Sequence, residues 1–138
     1  MLVPVLLEIA RLGGVQILVI SVGRQHVHLL TELSSSRSGT KQIVGLLKTV
    51  SAAHVRHPNQ PRLWGTGGNP KAVDDQLYQR RVFSYIRNEQ EPDAITWDYR
   101  MLVPTCPVEI RLTERQCELI ERWTKPLTNR EPDPKAAT

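Results

Sequence analysis

Residues 15–33 read VQILVISVGRQHVHLLTEL, two apolar runs separated by Gly23-Arg24-Gln25. The pattern predicts a β-hairpin with a short turn at those three residues. Side chains alternate faces along a strand, so His26 and His28 share one face with Leu30 and Glu32. Val27, Leu29, Thr31 and Leu33 take the other face and can pack into a core. Two imidazoles side by side on a stiff strand form half of a site for a divalent metal. The same spacing also fits two solvent-facing histidines with no ligand, and the tripeptide alone does not separate these readings.

The rest of the chain constrains what surrounds that hairpin. Its 138 residues suffice for one domain with a sizeable core. An apolar fraction of 40% and a mean hydropathy of −0.32 fit a globular chain. No apolar run reaches bilayer length, so no membrane partner is expected. The opening MLVPVLLEIARLGG lacks a basic start and a cleavage site, and reads as a core helix rather than a signal peptide. The cytoplasm is the expected compartment. Cys106 and Cys117, the only two cysteines, read as reduced thiols rather than a disulfide framework or a zinc ribbon. Charge is uneven: residues 1–36 are neutral, residues 37–90 carry +6 and residues 91–138 carry −2. A basic middle third suits a polyanion such as nucleic acid, although a solvated basic face has the same composition.

In chain order, Val3, Leu6, Leu7 and Ala10 mark a helix over 3–12 that stops at Gly13-Gly14. SSSRSG at 34–39 reads as a polar loop. Ile43, Leu46, Leu47, Val50 and Ala53 form the stripe of a second helix, from Thr40 to about Val55, weakened at Gly45. Residues 54–73 are basic and rich in proline and glycine. Leu63-Trp64 and Ala72-Val73 could form a short strand pair there, and His54 and His57 read as exposed or phosphate-facing. Asp74 or Asp75 can cap the next helix, which runs to about Glu89. On a helical wheel Tyr78, Val82, Tyr85, Ile86 and Glu89 fall within an arc of roughly 100°, with Arg80, Arg81 and Arg87 outside it. Tyr85 and Glu89 are neighbours at i and i+4, whereas Gln90 points away in a regular helix. The same residues also fit a core aromatic and a frayed, solvated helix end. Residues 95–103 and 108–112 read as strands. Thr113 and Gln116 form a capping box for a helix to about Trp123, with Cys117, Ile120 and Trp123 on its inner side. The domain is expected to span 1–125, with 126–138 a polar, disordered tail.

Taken together these elements resemble the HUH single-tyrosine transposases, most closely the branch of REP-associated tyrosine transposases. His26-Val27-His28-Leu29-Leu30 resembles the family's histidine strand. Leu46-Leu47-Lys48 resembles its "LLK" helix, Arg62-Leu63-Trp64-Gly65 its "LWG" segment, and Tyr85-Ile86 its tyrosine motif. The match covers roughly residues 1–92. Family members carry a strand ahead of the first helix, so an N-terminal truncation or a misassigned start is expected. Their third metal ligand is a Gln or Asn four residues after the tyrosine. Here that position is Glu89, with Gln90 as the alternative one residue later. The aromatic strand after "LWG" is replaced by Thr66-Gly67-Gly68-Asn69-Pro70.

The resemblance implies an α+β fold, a ferredoxin-like antiparallel sheet packed with helices. It implies that His26, His28 and Glu89 hold Mg²⁺ or Mn²⁺, and that Tyr85 attacks single-stranded DNA to form a covalent 5′-phosphotyrosine. Arg56, Arg62, Lys71, Arg80 and Arg81 would hold phosphates, and Trp64 would stack on a base. Single-stranded or hairpin DNA is the implied partner, and the chain would act as a homodimer. Two other readings fit the sequence. One is a degenerate relative that binds hairpin DNA without cutting it. The other is a small interaction module in which the histidine pair is incidental.

Overall fold

A computed structural model of the chain describes residues 2–32, 37–55, 64, 71–73 and 75–124. The first helix, α1 (Leu2–Leu12), buries Val3, Val5, Leu6, Leu7, Ile9 and Ala10. It ends in a Schellman turn: Gly14 N–H donates to the Arg11 carbonyl at 3.1 Å and Val15 N–H to the Ala10 carbonyl at 2.8 Å. Gly14 sits at φ 67°, a conformation that costs glycine nothing. The chain then enters the hairpin, β1 (Gln16–Val22) and β2 (Val27–Glu32). The turn is one residue longer than expected. Val22 pairs with Val27, and Gly23 N–H donates to the His26 carbonyl at 2.9 Å, so His26 closes the turn and only His28 lies in the strand.

Beyond the hairpin come α2 (Arg37–His54), α3 (Gln76–Asn88), β3 (Ile95–Asp98) and α4 (Glu114–Thr124). The three strands form one antiparallel sheet in the order β2-β1-β3. This is an α+β fold, and three strands with flanking helices are compatible with a ferredoxin-like plan. No helix among the described residues is long and apolar enough to cross a membrane.

Both faces of the sheet are covered, which explains why β1 is apolar almost throughout. One face packs Ile17, Ile20, Val22, Val27, Leu29 and Trp97 against α1 and α2, with Ile120 of α4 at the edge of the same core. The other packs Val19 and Leu30 against Ile86, Val82 and Phe83 of α3. A bulge between Ile17 and Val19 shifts the alternation, so Ile17 joins the first core and Leu18 the second. The face that carries His28 and Leu30 is therefore the one that α3 covers.

Several elements differ from the sequence reading. β3 ends after four residues, because the Asp98 carboxylate accepts Arg100 N–H at 2.9 Å and turns the chain. Residues 99–103 carry no strand, and neither do 108–112. Residues 64 and 71–73 carry none either, and the remainder of the expected strand pair lies outside the described residues. In α2 the buried positions after the first turn are Ile43, Leu46, Leu47, Val50 and Ser51, while Ala53 is exposed. In α4 Ile120 is buried and Leu119 packs beside it, but Cys117 is exposed. The capping box is present: Gln116 N–H donates to Thr113 Oγ1 at 3.2 Å and Thr113 N–H to Gln116 Oε1 at 2.8 Å. The expected 126–138 tail, and Arg56, His57 and Arg62, lie outside the described residues.

Candidate active site

Asp75 starts α3, its Oδ1 accepting Leu77 N–H at 2.8 Å. The helix presses Val82, Phe83 and Ile86 onto the sheet, with Ile86 the buried anchor. This inner stripe is rotated from the arc read on the helical wheel. Phe83 supplies the inward aromatic, so Tyr78 and Tyr85 fall at the border and are 43% and 49% exposed. Tyr85 is thereby turned toward the turn end of the hairpin. Its ring stands edge-on to that of His28, centroids 6.1 Å apart and planes at 83°. The His26 and His28 rings are also 6.1 Å apart, centre to centre.

His26, His28, Tyr85, Gln90 and Glu91 line one open cleft of about 470 Å³ together with the Gly23–Gln25 turn. Side chains separated by some sixty residues in sequence thus meet in a single depression. Cross-strand register sets His28, Ser21 and Thr96 in one polar row on this face. Ser21 is buried, and Thr96 Oγ1 donates to its Oγ at 3.4 Å.

Glu89 does not line the cleft; Gln90 does. The reason is where the helix stops. α3 ends at Asn88, and Glu89 is its C-cap at φ −116°, ψ 27°, so helical geometry no longer governs residue 90. Glu89 N–H still donates to the Tyr85 carbonyl at 3.0 Å, while its side chain is exposed. Gln90 folds back, its Nε2 donating to the same carbonyl at 3.2 Å. With the amide nitrogen engaged, Oε1 is the atom left to accept a partner. Among the described residues no three of His, Cys, Asp and Glu come together as metal ligands. The donors that line the cleft are two imidazoles, one amide oxygen and the Glu91 carboxylate, whose Oε1 is engaged by Arg24 N–H. That set suits a divalent cation whose other positions are filled by water and phosphate oxygens.

The remaining candidates are dispersed. Lys71, Arg80 and Arg81 are exposed on or beside α3. Trp64 is half-buried against the α1/α2 core, its Nε1 donating to Ser51 Oγ at 2.8 Å, with Lys48 Nζ 5.9 Å from the ring centroid. It belongs to the packing of α2 and takes no part in the cleft. His54 Nδ1 lies 2.8 Å from the Val50 carbonyl of its own helix.

Two features had no signal in the sequence. Glu91 reaches the hairpin turn, its Oε1 accepting Arg24 N–H at 2.6 Å. Asp98, only 2% exposed, receives Arg87 Nε at 2.8 Å and Arg100 Nε at 3.0 Å. The Arg100 guanidinium, then the Arg100 N–H and Arg87, hold its carboxyl far below the usual carboxylate range, against the opposing effect of burial. Arg87 thus faces the sheet, although the wheel set it outside the inner arc. The chain matches no protein-family model, and neither a curated protein nor a solved structure is significantly similar to it.

Proposed function

We propose that the protein nicks and rejoins single-stranded DNA through a covalent 5′-phosphotyrosine on Tyr85, the chemistry of a transposase. The observation that carries this reading is the convergence of His26, His28, Tyr85 and Gln90 on one cleft. Of the two candidate third ligands, the reading takes Gln90 over Glu89. His26, His28 and the Gln90 amide oxygen would hold Mg²⁺ or Mn²⁺, which when bound supplies Lewis-acid polarisation of the scissile phosphate.

Tyr85 Oη forms a bond to phosphorus and the P–O3′ bond breaks. The phenol gives up its proton as it attacks, and the departing O3′ takes one. One phosphodiester replaces another, so the later rejoining needs no external energy source. His28, edge-on to the phenol, fixes the ring's approach, and the packing of Ile86 fixes the helix that carries it. Lys71, Arg80 and Arg81 offer charge for the DNA backbone. Single-stranded or hairpin DNA is the substrate, a homodimer the working assembly and the cytoplasm the compartment of this reading. A second reading, a degenerate hairpin-binding relative, draws on the shift of the amide ligand to position 90.

The test is incubation of labelled DNA hairpins with Mn²⁺, Mg²⁺ or EDTA, wild type beside Tyr85→Phe. A covalent band that needs metal and disappears in the variant is expected. Salt-sensitive binding with no band would favour the degenerate relative, and neither band nor binding would remove both.

A further inference from the structure

The cleft is built from two independently supported pieces. His28 belongs to the sheet, and Tyr85 to a helix packed on it through Ile86. Gln90 is held to α3 by its Nε2 bond to the Tyr85 carbonyl, but residues 89–94 lie beyond the helix and are exposed or half-exposed. What ties this segment to the hairpin is the Glu91 carboxylate, whose Oε1 accepts Arg24 N–H at 2.6 Å. Arg24 lies two positions before His26, and Glu91 one position after Gln90. A single charge-assisted bond therefore joins the backbones next to two of the cleft's donors. Gly23 makes room for it: an added Cβ would land on the Glu91 carboxylate, 2.9 Å from Cδ. The neighbouring Arg24–Asp93 ion pair, at 3.0 Å, is 79% and 69% exposed and adds little to the tie.

We infer that Glu91 is a positioning residue that keeps Gln90 in the cleft that His26 and His28 line, with Gly23 as the space it needs. This rests on the activity proposed above. Glu91 acts through the Arg24 N–H and is itself no ligand.

The test follows adduct formation on a DNA hairpin against Mn²⁺ concentration for wild type, Glu91→Ala, Glu91→Gln, Gly23→Ala and the Gly23→Ala/Glu91→Ala double variant. Hairpin affinity in EDTA and the Arg24 amide resonance in a ¹H–¹⁵N spectrum are measured on the same samples. Loss of the tie in Glu91→Ala should raise the Mn²⁺ midpoint about tenfold or more, the usual effect of removing an outer support of a metal ligand. Rate at saturating Mn²⁺ and hairpin affinity in EDTA should stay near wild type, and the Arg24 amide should shift. Glu91→Gln, which keeps an acceptor oxygen, should recover most of the midpoint. Gly23→Ala should behave like Glu91→Ala, and the double variant should be no worse than either alone. An unchanged midpoint or an unmoved Arg24 amide in Glu91→Ala would overturn the inference while leaving the activity standing. Glu91→Gln as impaired as Glu91→Ala would overturn it in favour of a direct carboxylate ligand. A wild type that forms no adduct in any metal would overturn the activity and this inference together.

Discussion

Asp98 is the one buried charge among the described residues, and two guanidiniums hold it. Burying an ion without partners would cost several kcal/mol, so the triad has to be present for β3 and α3 to sit as they do. Its carboxyl is depressed in the folded state. The stabilisation is therefore complete above the unfolded pKa, about 3.9, and is lost as pH falls below that toward the folded value. Asp98→Asn should cost about 2 kcal/mol at pH 7, the scale of hydrogen bonds to a charged group. Urea melts of wild type and variant should differ most at neutral pH and converge below about pH 4. A gap that persists unchanged into acid would contradict the assignment. No sequence pattern announced this triad, because Asp98 meets Arg87 across a sheet face rather than along one element. Gln90 escaped for a related reason. The wheel assumes helical dihedrals, and residue 89 has already left them.

Elements whose reasons are local were legible. The Gly13-Gly14 stop, the Asp75 cap and the Thr113–Gln116 box each rest on a few neighbouring residues, and each is present. The hairpin was legible from alternation, but its bulge was not, since one extra residue in β1 leaves an apolar run unchanged in composition. β3 looked longer in sequence than it is because Tyr99, Met101, Leu102 and Val103 have strand-like side chains. In the structure these four are exposed, Leu102 by 94%, after the Asp98 turn. In α2, Gly45 is exposed and an added Cβ would meet nothing within 4 Å. Gly45→Ala should therefore stabilise the protein by about 1 kcal/mol, the helix-propensity difference, with no loss of packing. The check is the denaturation midpoint at unchanged slope; a destabilised variant would mean that α2 is not helical at that position.

At the scale of the whole molecule, the basic excess of residues 37–90 belongs to the same stretch that supplies α3 and its tyrosine. If exposed Arg80 and Arg81 contact DNA phosphates, replacing both with Ala should flatten the plot of log affinity against log salt by about 1.4, from the single-strand value of roughly 0.7 per contact. An unchanged slope would take those two side chains off the DNA path. The central claim, however, is chemical, and the chain offers a clean way to read it. Its three tyrosines fall in separate tryptic peptides: Tyr78 in 72–80, Tyr85 in 82–87 and Tyr99 in 88–100. Mass spectrometry of the trypsin- and nuclease-treated product of a metal-containing reaction with a DNA hairpin measures which peptide carries nucleotide. The account predicts a nucleotide adduct on peptide 82–87, at Tyr85, present with Mn²⁺ and absent with EDTA. Nucleotide on the peptide of Tyr78 or Tyr99, or on none across a varied hairpin panel, would contradict it.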